Sequence, residues 1–376
     1  MKRQVIYFAG FFLTLSAALS YYANSSFLAS VVGEDRIGLV YFFASIGSLV
    51  VIGLTPRLAK RFNLRVLVRL GGLILTLSYL GLGLATNPFF KLSLFVLIYN
   101  AVVALGFWLD LYLESLSRDG ETGRIRGGYL TVVNAAVLLS PLVSTTVLGE
   151  ADHFQNLYLL CFAATLPLLY LFWFKLARAR LESPGHSLWQ KLLNPNLRRI
   201  LLVDLWLNIF YFIMGVYMPI YLHEKIGLAW GEIGLAFTIM LIPFVVIEYP
   251  LGWLADRRFG EKEVLAAGII LTGLATLPIF FVTSTTVALW AGLLFATRLG
   301  ASAWEAMKET YLFKHVAAGD VSTIGLSRLT VPGAYFIGSV ATFFLLKVMP
   351  IGGFFLTLGL FVLLGLAFSL RLVDTR

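Results

Sequence analysis

Runs of about 20 apolar residues, the length an α-helix needs to cross a bilayer, follow one another along almost the whole chain with only short polar gaps between them. A membrane offers the backbone no water, so such runs must pair their own N–H and C=O groups, and the helix does so within one segment. Twelve spans are predicted: 5–31, 37–56, 64–86, 89–116, 128–149, 156–176, 200–222, 232–254, 263–283, 286–309, 323–347 and 351–371. No room remains for a soluble catalytic domain. The 13% of charged side chains agrees, since a soluble domain carries about a quarter. Lys2 and Arg3 before the first run would also suit a signal peptide, but the run outlasts an ordinary h-region and is retained as a span.

Charge tests the topology. With the amino terminus in the cytoplasm, the outer segments hold only Arg36, Lys91, Lys225 and Lys347. Every other Lys and Arg except Arg298 and Arg328 falls in an inner segment. This asymmetry is the positive-inside pattern, and it accounts for the net charge of +9 without nucleic acid. Both termini are then cytoplasmic, the expected location is the plasma or inner membrane, and the expected partners are lipid, a small solute and protons, with the protein a monomer. The single Cys161 lies inside span 6, where it has no disulfide partner.

The chain is made twice. Ile37-Gly38-Leu39 recurs as Ile233-Gly234-Leu235, and Leu58-Ala59-Lys60-Arg61 recurs as Leu254-Ala255-Asp256-Arg257, both at an offset of 196. Asp110 and Glu114 map onto Glu305 and Glu309 at offset 195. Two parallel six-helix halves follow, 1–176 and 200–376, joined by a cytoplasmic linker at 177–199. Within the linker, Ser187 can cap a short amphipathic helix along the membrane surface. A flexible tether is the alternative.

The loop after span 8 reads LGWLADRRFGEK from Leu251. Parallel six-span halves are one of the repeat symmetries of secondary transporters, and here the chain resembles the major facilitator superfamily (MFS). That family's signature after span 2, often repeated after span 8, runs Gly, three residues, Asp, a basic residue, one residue, Gly. Gly252, Asp256, Arg257 and Gly260 match it with one extra residue before Gly260. In the first copy Pro56, Lys60 and Asn63 replace the Gly, the Asp and the second Gly. The resemblance implies an all-α membrane protein with the MFS fold, working by alternating access. It also implies that Asp256 and Arg257 help lock cytoplasmic helix ends, a part Lys60 cannot play. A topology signal alone is the alternative for the second loop and the stronger reading for the degraded first one.

Charges inside spans carry the functional expectations, since each costs roughly 2.5–3.5 kcal/mol at the bilayer centre. Arg298 lies closest to the middle of a span. It suits a carboxylate or phosphate of a solute, or a permanent pair with a carboxylate of the protein. Asp110, Glu248, Glu305 and Arg328 form a common layer toward the cytoplasm. With Glu114, Glu309, Asp256 and Arg257 they are candidates for gating by ion pairs or for carrying protons. Asp204, four residues into span 7, is expected at the interface. Tyr21, Asn24, Asn100, Asn134, Asn208, Tyr211, Tyr217 and Trp304 are uncharged polar candidates for solute binding, and Tyr21 and Tyr217 are repeat equivalents.

No HExxH, nucleophile elbow or P-loop is present, and all four His fall in or beside loops. No enzyme activity, metal or cofactor is expected. The leading reading is a secondary transporter of a small organic solute, with proton coupling open. A proton-driven drug antiporter is weakened because span 5 keeps Pro141 without flanking glycines. A non-transporting receptor or assembly protein on the same scaffold is the rival from another class, and a channel is disfavoured because no filter sequence occurs.

Overall fold

The computed structural model describes residues 2–115, 122–150, 152–177, 193–247, 250, 260–315 and 321–373. Among them it is helical, with no strand. Among the described residues eleven helices are long and apolar enough to cross a membrane, and Trp230–Val246 is a shorter apolar helix. The chain divides into two compact units, Met1–Gly185 and His186–Arg376.

In the first unit the elements are α1 (Lys2–Tyr21), α2 (Asn24–Val32), α3 (Ile37–Arg61), α4 (Leu64–Leu84), α5 (Pro88–Ser115), α6 (Thr122–Leu148) and α7 (Phe154–Tyr170). The single first span expected from the sequence is broken at Tyr22–Ala23, between α1 and α2. Ser16 and Ser20 donate back to Leu13 and Ala17 carbonyls just ahead of the break, a local competition that bends helices. Gly33, at φ 85°, ends α2 in a conformation that suits only glycine. Asn63 caps α4 by accepting from the Arg65 N–H at 3.0 Å. Beyond α7 the chain passes into a π-helical turn, Leu171–Lys175, four residues after Pro167. Arg69 holds that turn: its Nε donates to Phe172 O at 3.0 Å and its Nη2 to Trp173 O. Cys161 is fully buried on α7.

The second unit contains α8 (Pro195–Ile220), α9 (Trp230–Val246), α10 (Glu261–Thr276), α11 (Val287–His315), α12 (Val321–Leu345), α13 (Ile351–Leu364) and the short α14 (Leu366–Ser369). Asn194 starts α8 by accepting from the N–H groups of Asn196 and Leu197, with Pro195 in the first turn where its missing N–H is no loss. The start of span 7 therefore lies five residues earlier than the sequence suggests. Gly260 opens α10 at φ 90°, and Pro278 sits in the 3₁₀ turn Leu277–Phe281 that closes it.

Each unit packs by the same plan. In the first, α1 packs on α5, α6 and α7, α4 on α5 and α7, and α3 on α5. In the second, α8 packs on α11, α12 and α13, α10 on α11 and α13, and α9 on α11. Shifted by six spans, the two sets coincide, which is the packing expected of a duplicated sequence. Small residues allow the closest crossings. A Cβ on Gly300 would stand 2.5 Å from the Thr272 backbone N and 2.6 Å from Gly268 O, and a Cβ on Gly273 or Gly359 would stand 3.1 Å from the other's carbonyl oxygen.

Candidate functional site

On α8, Asp204, Asn208 and Tyr211 recur at intervals of four and three residues, so they form one stripe. On α11, Arg298, Glu305 and Lys308 recur at seven and three and form another. α8 and α11 pack together, and the two stripes meet in three rungs.

The first rung is a buried ion pair. Lys308 Nζ donates to Asp204 Oδ1, and Asn208 Nδ2 donates to the same oxygen at 2.9 Å. Thr330 and Ser327 of α12 donate to Oδ2 at 2.6 and 3.4 Å. The carboxylate thus has a donor on each lone-pair region it can use. Asp204 is 5% and Lys308 8% exposed. The sequence places Asp204 near the interface; the structure shows it buried between helices, in a helix that starts earlier, at the Asn194 cap. Nine residues of α8 precede Asp204, about 13 Å at helical rise, which is enough to carry it inside. Glu309 Oε1 lies 3.9 Å from Lys308 Nζ and is partly exposed.

The second rung is a hydrogen bond: Tyr211 OH donates to Glu305 Oε2 at 2.6 Å. The third is aromatic. The Arg298 guanidinium lies over Phe210 at 5.1 Å and over Tyr211 at 5.4 Å from the ring centroids. Arg298 is 4% exposed, and its Nη1 is buried without a hydrogen-bond partner. It forms no ion pair with any carboxylate among the described residues. Stacking on aromatic rings gives about 2 kcal/mol when desolvated, whereas burying a cation costs several. The rings alone do not compensate the charge.

The structure thus brings Arg298, Tyr211, Glu305 and Asn208 into one ladder. Other candidates lie elsewhere. Tyr217 is fully buried and donates to Thr342 Oγ1 at 2.9 Å with its ring against Phe354. Its repeat equivalent Tyr21 is half-buried, edge-on to Tyr22. Trp304 is fully buried on α11, its Nε1 without a hydrogen-bond partner. Asn24 accepts from Tyr158 OH at 2.9 Å, and Asn100 accepts from Ser48 Oγ at 3.0 Å while donating to Val96 O. Asn134 is half-buried on α6, Asp110 buried on α5 and Arg328 half-buried on α12. The Glu114 side chain, Glu248, Asp256, Arg257 and the linker residues 178–192 lie outside the described residues. Asp204 and Lys308 are the partners that sequence reading missed as a site. Their signal was the four-residue repeat Asp204, Asn208 opposite Lys308 in a helix of opposite direction.

No family model matches the sequence, and no curated protein matches it. Among solved structures the chain is similar to a mutant form of the nucleoside transporter NupG, at a TM-score of 0.77 and 12% identity over 99% of this chain and 100% of that one. The fold is that of the major facilitator superfamily. In this MFS fold the ladder joins the first, fourth and fifth helices of the second six-helix unit, and the duplicated packing of the two units is the duplication read in the sequence.

Proposed function

We propose that the chain is a secondary transporter that carries a small organic solute across the membrane by alternating access. The observation that carries this reading is the α8–α11 ladder: three buried charges, Asp204, Lys308 and Arg298, held inside a helix pair of a transporter fold. Intramembrane charges are expensive, and in such proteins they mark solute or proton paths. The likeness to NupG supports a solute path, and a nucleoside is one class to test. The domain reading, two halves at 1–176 and 200–376 around a linker, belongs to the same proposal, as do the monomer and the inner-membrane location.

We assign proton coupling to Glu305. Its hydrogen-bond partner is the Tyr211 hydroxyl, and Lys308, three residues along the helix, feels its charge without a direct ion pair. The test is uptake by purified protein in liposomes, with a nucleoside and small organic acids as probes, with and without an imposed pH gradient. Gradient-driven accumulation supports the reading, and Glu305→Gln then gives equilibration without accumulation. Uptake that is absent for every probe, from folded protein, sinks it.

A further inference from the structure

We propose that Arg298 is the receptor for a carboxylate on the transported solute, and that Tyr211 keeps Glu305 from occupying it. The inference rests on the transporter reading and names its substrate class as organic monocarboxylates.

Three observations on the second unit lead there. Arg298 is the cation of the ladder that no described carboxylate pairs: Lys308 has Asp204, while Arg298 has only ring faces. Its Nη1 is a buried donor bonded to nothing, an arrangement that costs free energy until an acceptor arrives. The Phe210 and Tyr211 rings lie 5.1 and 5.4 Å from the guanidinium carbon and offer no hydrogen-bond acceptor of carboxylate strength, whereas the paired N–H groups of a guanidinium fit the two oxygens of a carboxylate. Lys308, the other cation of the ladder, is already taken by the hydrogen-bonded Asp204, so the ladder leaves one cation, and hence one carboxylate, to be matched.

Glu305 is the competitor. It stands seven residues from Arg298 on the same helix, about 10 Å along the axis, within reach of two extended side chains. Tyr211 touches both: its ring carries Arg298 and its hydroxyl holds Glu305 Oε2 at 2.6 Å. It is a positioning residue that ties the carboxylate away from the guanidinium. Removing the hydroxyl alone frees Glu305 to swing onto Arg298 and fill the place of the solute.

The experiment measures thermal stabilisation of the detergent-purified protein by acetate, lactate and benzoate, each against its uncharged amide, since a ligand of the folded state raises its apparent stability. At least one acid is expected to stabilise where its amide does not. Arg298→Gln weakens that ligand roughly 10- to 100-fold, the loss of one charge-assisted pair. Tyr211→Phe weakens it as well, and Tyr211→Phe with Glu305→Gln restores it. This rescue separates competition from misfolding, because a merely damaged site does not recover when a second residue is changed. Equal stabilisation by acid and amide, no stabilisation by any acid, or affinity unchanged in Arg298→Gln overturns the carboxylate assignment. Failure of the double variant to recover overturns the part given to Tyr211. Liposome uptake of a neutral solute that survives Arg298→Gln likewise removes this inference while leaving the transporter reading intact.

Discussion

Asp204 takes four hydrogen bonds from three helices, and each partner depends on the charge at the centre. Replacing it by Asn leaves the Lys308 ammonium buried beside a neutral amide. The expected loss is about 3–5 kcal/mol, since breaking a buried pair strands the remaining charge. Thermal unfolding in detergent should show a large drop for Asp204→Asn and substantial recovery when Lys308→Met is added. A double variant no better than the single one would mean that the hydroxyls, not the pair, hold this region. Tyr217 makes the opposite case. Thr342 also donates to Gly338 O at 2.8 Å, so Tyr217→Phe leaves no orphaned donor. A cost of about 1 kcal/mol and unaltered solute affinity are expected, whereas a marked affinity loss in a binding titration would return Tyr217 to the solute site.

At the scale of the element, helix packing in the second unit is governed by where side chains are missing. Gly300 lies on the face of α11 that meets α10, and a Cβ there collides with backbone rather than with a movable side chain alone. Gly300→Val is therefore expected to cost about 2–4 kcal/mol as α10 and α11 are forced apart, read as lost folded yield and a lowered unfolding midpoint. Gly106, on α5, has nothing within 4 Å of the added carbon, and Gly106→Ala should be close to neutral in the same assay. The number and order of the spans were legible from the apolar runs, because membrane thickness imposes one length on all of them. Their ends were less so. Asn194 and Pro195 start α8 in a stretch too polar to look like a span, and that displacement of five residues is what hid Asp204. The break between α1 and α2 was also hidden, since no Gly or Pro marks it. Of the site, Arg298 and Glu305 were visible as isolated charges in apolar helices. Their relation was not, because it runs through Tyr211, one tyrosine among the 16 in the chain.

At the scale of the whole molecule, the duplication read from two short matches at offset 196 reappears as two compact units with matching packing. The signature loop that suggested the MFS fold lies mostly within 251–259, outside the described residues, so the likeness of the complete fold carries that identification instead. One consequence concerns Cys161. It is the only thiol in 376 residues, and it is sealed in the first unit, whereas the charged ladder belongs wholly to the second. A thiol-reactive dye therefore has nothing to label until the first unit opens, and the unmodified protein is already a one-channel reporter on half of itself. Asp204→Asn should lower the transition seen by intrinsic fluorescence, to which six of the eight tryptophans contribute from the second unit, more than the midpoint of dye labelling. Equal shifts of the two signals would instead reveal that the halves melt as one cooperative body, a property that neither half shows by itself.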